Sequence, residues 1–268
     1  MKIATWNVNS IRARADRIED WLDKSDIDVL AIQETKAKDD NFPYEIFDFL
    51  GYEVAHFGLN QWNGVAIASR CGLADVQKTF PNQPSFAKEG QPAVQEARAI
   101  AATCAGIRIW SLYIPNGRSR TDPHMSYKLA WLKTLCQQTQ DWLRQDPQQQ
   151  LALVGDWNVA PFDDDVWDIA FFEQEELTHI TPAERAAFMS FISTAGLIDV
   201  VRPYTPGEYT YWDYTKGRFP KNEGMRIDFQ LHSPALAQRV SKAYIDLEER
   251  QGQGASDHAP VVVELKDA

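Results

Sequence analysis

Short apolar runs that stop on an acid, an amide or a histidine constrain this chain more than any other feature. The clearest is "LALVGDWNVAPFDDD", Leu151 to Asp165, where an apolar run drops into a carboxylate, an indole and an amide. Runs of the same β type are "KIATWNV", "DVLAIQ", "GVAIAS", "ARAIAATC", "IRIWSLYI", "MRIDFQL" and "PVVVEL". Several are almost continuous in Ala, Val, Ile and Leu, which predicts sheets covered on both faces. Helical segments separate them. "ADRIEDWLDK" sets Ile18, Trp21 and Leu22 on one face, and Ser126 to Gln145 repeats Leu129, Leu132, Leu135, Trp142 and Leu143 at helical spacing. "TPAE" at Thr181 has the pattern of a capping box with Pro182 in the first turn, and Gly196 marks the helix end. Mixed strands and helices in this order predict an α/β layered fold.

The chain has 268 residues, enough for one large domain or two ordinary ones. No linker interrupts it. Polar residues end strands near both termini and in the middle, so a one-site protein must make them converge. We therefore expect one domain spanning 1–268, built of two similar halves.

Formal net charge is −11, which argues against a protein that coats nucleic acid by charge alone. It leaves room for an enzyme with a local basic track and a divalent metal, since the metal supplies positive charge. Cys71, Cys104 and Cys136 have no metal-binding spacing and fit reduced thiols in a cytoplasmic protein. No apolar run approaches the ~20 residues that cross a bilayer, so no membrane association is expected. "MKIATWNVNS" reads as a strand, not as a signal peptide.

The polar residues at the strand ends are Asn7 and Asn9, Glu34, Asp156 and Asn158, Asp228, and Asp257 with His258. Taken singly, each has a structural explanation: a turn-forming Asn, a solvated Glu34, an Asp228 paired with its neighbour Arg226. As a set they occupy the position where α/β proteins place ligands and catalytic groups. Mg²⁺ takes oxygen ligands, typically one or two carboxylates plus water and substrate phosphate. Glu34 and Asp257 are the natural carboxylates, with Asn7 adding a neutral oxygen. Zinc-type Cys/His spacing, P-loops, GxGxxG turns and GxSxG elbows are all missing, so no nucleotide cofactor is expected. Paired with Asp228, His258 would stay protonated and bind a phosphate oxygen. Asp156 would take a proton from water while Asn158 holds the attacked group. That combination fits metal-assisted hydrolysis of a phosphate ester.

In order, "WNVNS", "QETK", "WNGVAI", "YIPNGR", "GDWNVAP", "MRIDF" and "SDHAPV" resemble the motifs of the exonuclease III/AP endonuclease family, within the endonuclease/exonuclease/phosphatase superfamily. The resemblance runs from Lys2 to Leu265. It implies a four-layered α/β sandwich, with two mixed, mostly antiparallel sheets face to face and helices outside. It also implies Mg²⁺- or Mn²⁺-dependent hydrolysis of DNA phosphodiesters: incision at abasic sites, 3′-to-5′ degradation of duplex DNA and removal of 3′ blocking groups. A monomer acting on double-stranded DNA with abasic sites or 3′ ends is the family expectation. By motif, Asn7, Glu34 and Asp257 surround the metal, and Asn9 stands where some relatives have an aspartate. Tyr113 contacts the scissile phosphate, while Asn116 and Arg118 hold the DNA backbone. Asp156 is the proton donor and acceptor, oriented by Asn158, and Asp228 pairs with His258. A second metal on Asp156, Asn158 and His258 is the other arrangement the resemblance allows.

In "YTYWDYTKGRFPKNEGMRID", Tyr211, Trp212 and Phe219 alternate with Lys216, Arg218, Lys221 and Arg226. Aromatic faces can hold an extruded sugar or base and the cations can hold phosphates. We expect Tyr211, Trp212, Met225 and Arg226 to face DNA, with Tyr211 and Met225 at the abasic pocket of the family, and Phe219 to be packing. Asp163 to Asp165 and "FEQEEL" read as solvated or capping charge. Trp157 should point into packing. The same scaffold also supports a phosphoesterase acting on RNA or a small phosphodiester, or a catalytically weak DNA-binding relative.

Overall fold

The computed structural model describes residues 1–87 and 90–267. The first half of the chain forms β1 (Lys2–Asn7), α1 (Ala15–Ser25), β2 (Val29–Gln33), α2 (Tyr44–Phe49), β3 (Glu53–Phe57) and β4 (Val65–Ser69). Next come β5 (Ala74–Lys78), β6 (Ala99–Cys104), β7 (Ile107–Tyr113), α3 (Pro123–Gln145), β8 (Leu151–Asp156) and α4 (Ile169–Gln174). The last elements are α5 (Pro182–Ser193), β9 (Ile198–Asp199), β10 (Asp228–His232), α6 (Pro234–Ala237), β11 (Val240–Ile245) and β12 (Val261–Leu265).

The strands make two six-stranded sheets, ordered β11-β12-β1-β2-β4-β3 and β5-β6-β7-β8-β10-β9. Each has one parallel pair, β1 with β2 and β7 with β8, and antiparallel neighbours otherwise. The inner faces meet in a core that joins Ile3, Val29 and Ile67 of one sheet to Ile109, Ala152 and Val154 of the other. Helices α1 and α2 cover the outside of the first sheet, and α3 and α5 that of the second. The four-layered sandwich is thus present, and the apolar runs are continuous because their strands are buried on both faces.

Strand periodicity decides which residues meet. In β8, Leu151 and Leu153 face the helices, whereas Ala152 and Val154 face the other sheet. Asp156 continues the inner phase. The same count puts Asn7 in phase with Ile3, and Asp228 opposite Phe229, which faces the helices. Beneath them a buried polar seam joins the sheets: Thr5 Oγ1 donates to Gln33 Oε1 (3.1 Å), and Gln33 Nε2 to Ser111 Oγ (3.0 Å). Gln230 Nε2 likewise donates to the Ile3 and Val261 carbonyls, both at 3.0 Å.

All three anticipated helices form, as α1, α3 and α5. Thr181 caps α5 in a capping box with Glu184, and Asp122 caps α3. Four strands escape the sequence pattern: β3, β5, β9 and β11. All four are sheet edges. An edge strand is paired on one side only; β5 is largely exposed and β11 buries only Ala243 and Ile245, so neither carries an apolar run. "MRIDFQL" becomes a strand only from Asp228; Met225 instead makes isolated bridges to Val166 and Tyr211.

Candidate active site

The strand ends converge. Register alone sets Asp156 beside Tyr113 on one side and Asp228 on the other. A cavity of about 200 Å³ opens there, lined by Glu34, Tyr113, Asn158, Asp257 and His258 among others.

Asp156 is buried and held from several directions. Asn7 Nδ2 donates to its Oδ2 at 3.0 Å, the Asn158 backbone N–H to Oδ1 at 2.9 Å, and Asn158 Nδ2 to Oδ2 at 3.2 Å. His258 Nε2 stands 3.9 Å from Oδ2. Burial raises the Asp156 carboxyl above the usual carboxylate range, against the pull of His258. On the far side of the ring, His258 Nδ1 meets Asp228 Oδ2 at 2.8 Å. Burial works against the imidazolium, but Asp228, with Asp156 and Asp257 behind it, raises its pKa above that of a free histidine. Thr210 Oγ1 also donates to Asp228 Oδ2, at 2.6 Å. This leaves Asp228 outside the alternative pairing: Arg226 reaches Asp199 at 2.8 Å instead.

Glu34 and Asp257 both line the cavity. Lys36 Nζ lies 2.9 Å from Glu34 Oε1, and Asn9 Nδ2 donates to Asp257 Oδ1 at 3.1 Å. Among the described residues no three His, Cys, Asp or Glu side chains close around one point. Two carboxylates beside an open cavity suit Mg²⁺, which keeps several waters and shares its shell with substrate phosphate. Asn7 Oδ1 accepts from the Asn9 N–H (3.0 Å) and keeps a second lone pair. The residues therefore fit such an ion. Glu34 and Asn158 both adopt left-handed backbone, with φ of 57° and 50°. Non-glycine residues accept that conformation where surrounding structure imposes it, often at functional sites.

Tyr113 sits with the Arg98 guanidinium 4.9 Å from its ring centre. Burial, then Glu34, raises its phenol, so it remains a hydrogen-bond donor. Asn116 and Arg118 are exposed; Asn116 lines the cavity and its Nδ2 donates to Asn158 Oδ1 at 3.0 Å, whereas Arg118 is not among the lining residues. Tyr211 packs 4.9 Å from the His258 ring and lines the cavity with Met225.

Two residues expected to face DNA do not. Trp212 is 1% exposed, and its Nε1 donates to Asn222 while its ring packs on Phe219. Its backbone N–H donates to Asp257 O at 2.9 Å. Arg226 is 2% exposed and bound to Asp199, with Asp165 3.7 Å away. Its charge is spent inside the protein. Asp165 is correspondingly buried against Arg202 and caps a turn through the Phe162 N–H, whereas Asp163 and Asp164 are exposed. Trp157 packs against Phe188 and Phe191 as alternation requires.

Sequence reasoning missed His179. Its Nε2 lies 3.2 Å from Asn158 Oδ1, and burial, then Lys128, lowers its pKa to about 4. It comes from a loop with no periodic signal, so only the fold brings it to the cavity.

A buried carboxylate flanked by amides and a carboxylate-held histidine, on a two-sheet α/β sandwich, defines a hydrolase of phosphate esters. The endonuclease/exonuclease/phosphatase family matches residues 4–258 of the chain. Exodeoxyribonuclease III of Haemophilus influenzae is 30% identical over 279 residues, covering 99% of this chain and 100% of that one. Two solved structures each cover 100% of both chains at 34% identity and a TM-score of 0.89. One is a Neisseria 3′ phosphatase bound to a product DNA hairpin and the other an AP endonuclease from Archaeoglobus fulgidus. The chain belongs to the endonuclease/exonuclease/phosphatase family and is a hydrolytic phosphodiesterase. No helix of the described residues is long and apolar enough to cross a membrane.

Proposed function

We propose that this protein is a Mg²⁺-dependent DNA repair nuclease of exonuclease III type. It would remove 3′-terminal nucleotides and 3′ phosphates from double-stranded DNA and incise at abasic sites, as a cytoplasmic monomer folded as one domain. The observation that carries the reading is Asp156, held by Asn7, Asn158 and the His258–Asp228 pair in one cavity with Glu34 and Asp257. The names of its relatives supply the polymer: an exodeoxyribonuclease, a phosphatase seen with DNA, and an AP endonuclease.

In this mechanism Asp156 accepts a proton from water as the water oxygen adds to phosphorus. The P–O3′ bond breaks and the departing O3′ takes a proton from solvent, leaving a 3′ hydroxyl on one fragment and a 5′ phosphate on the other. The raised carboxyl of Asp156 suits a group that must both take and return a proton near neutral pH. Asn7 and Asn158 keep it oriented. His258 and Tyr113 donate hydrogen bonds to the phosphoryl oxygens, where charge develops. Glu34, Asp257 and Asn7 would hold Mg²⁺, or Mn²⁺ in its place, which supplies charge neutralisation at the phosphate.

The test is a gel assay of the purified protein with Mg²⁺ on labelled duplexes carrying an internal abasic site, a recessed 3′ end or a 3′ phosphate. Cleavage abolished by EDTA and restored by Mg²⁺ is the expected result. Duplexes that all remain intact would overturn the reading.

A further inference from the structure

Beside the catalytic cavity lies a second one, of about 330 Å³. Ligand pockets run from about 300 to 1,000 Å³, so this one has room for a small planar group. Three residues, His179, Tyr211 and Met225, line both cavities. The new compartment therefore adjoins the site that receives the phosphate, with these three side chains between the two. Its other walls include the half-buried Trp167, Phe171 and Leu177, with Glu175, Asp213 and Lys216 among the polar lining. The Trp167 and Phe171 rings lie 5.1 Å apart at 39°. Arg218 roofs them, its guanidinium 5.3 Å from the Trp167 ring centre and 5.7 Å from that of Phe171, and it is itself held by Glu223.

These walls are fixed by the fold. Trp167 follows Val166, which is bridged to Met225, and its N–H donates to Gly224 O at 3.1 Å. Two aromatic rings, a methionine and a stacked guanidinium give more apolar, planar surface than a deoxyribose requires. Aromatic faces and arginine planes are what unpaired bases stack on, whatever their identity.

We infer that this compartment receives the nucleobase of the nucleotide being released, the one whose 5′ phosphate is attacked. The inference rests on the phosphodiesterase reading above and specifies its substrate. The protein accepts 3′-terminal nucleotides with the base still attached, and Trp167 and Phe171 hold that base. A 3′ phosphate carries no nucleotide beyond the scissile bond, so its removal leaves the compartment empty.

Two measurements test this. In the first, Trp167→Ala and Phe171→Ala are assayed on the same duplex ending in a recessed 3′ nucleotide or in a 3′ phosphate. Loss of one stacking wall should slow nucleotide removal about tenfold at sub-saturating substrate, with 3′-phosphate removal unchanged. A parallel loss on both substrates, or no loss on the first, overturns the inference. The second uses the unaltered protein with Mg²⁺ in calorimetry, comparing dAMP with 2-deoxyribose 5-phosphate. About tenfold tighter binding of dAMP is expected, and equal binding overturns the inference even if the variants misfold. Calorimetry needs no turnover, so a protein inert on every duplex would sink the nuclease reading while this comparison still decides the pocket.

Discussion

Lys128 of α3 and Glu184 of α5 form a fully buried ion pair behind residues that line the candidate site. Lys128 Nζ also donates to the backbone carbonyls of Asn116 (3.2 Å) and Asn158, and Glu184 Oε1 accepts from the His179 N–H at 3.0 Å. One pair between two helices thus fixes three residues of the site. Burial lowers the Lys128 ammonium, with Glu184 working against it.

Glu184→Gln should be severe, because it strands a buried ammonium. Breaking one side of such a pair costs about 3–5 kcal/mol. Urea unfolding should report that loss, and the turnover rate should fall with it as the Asn116 and Asn158 loops lose their anchor. Unchanged stability would show that Lys128 is neutral in the fold.

Asp156→Asn keeps the shape of the side chain while removing its ability to take a proton. Cleavage should fall by about 10²- to 10⁴-fold, the range of general acid–base catalysis. Circular dichroism and the melting temperature should show a folded protein. Full activity in this variant would assign the proton transfer elsewhere.

Glu34→Gln tests the ion. Replacing one of two carboxylates should raise the Mg²⁺ concentration needed for half-maximal activity by about tenfold or more, with little change in unfolding midpoint. A titration curve that does not move would remove Glu34 from the metal.

Gly155, just before Asp156, has φ of 142°, and a Cβ there would stand 2.0 Å from the Leu112 carbonyl oxygen. That oxygen belongs to the neighbouring strand and cannot swing aside. Gly155→Ala should destabilise by about 2–5 kcal/mol from strain and overpacking together, seen as a lowered melting temperature.

His232 is completely buried on β10, with Nε2 on Gln230 Oε1 at 3.2 Å, and burial lowers its pKa to about 3. In the unfolded chain it titrates near 6.5. Between these values the unfolded state binds the extra proton, so its contribution to stability is complete above pH 6.5 and is lost as pH falls toward 3. The slope from this residue approaches about 1.4 kcal/mol per pH unit. His232→Gln should flatten the stability profile between pH 6 and 4; an unaltered slope would mean that other groups set it.

Much of the architecture was legible in the chain. Runs such as Leu151 to Val154 are buried on both faces, and that leaves an unbroken apolar signature. The edge strands left none, because exposed, one-sided pairing imposes no pattern. Of the site, the strand-end residues Asn7, Asp156, Asp228 and His258 were readable because an acid or amide ending a buried run is chemically conspicuous. Trp212 and Arg226 misled because their segment alternates aromatic and basic residues, and composition does not say which side of a loop faces in.

The sequence by itself determined the layered α/β class, the strand ends where chemistry sits and the residue types that perform it, since period-two burial is a local rule. Tertiary structure alone decided which partner each group takes. It gave Asp228 to His258 and Arg226 to Asp199, brought His179 to Asn158, and set Lys128 under both amide loops. Those choices depend on through-space distance in a low-dielectric interior, where a buried charge or polar group must find its nearest complement, and no spacing along the chain encodes that.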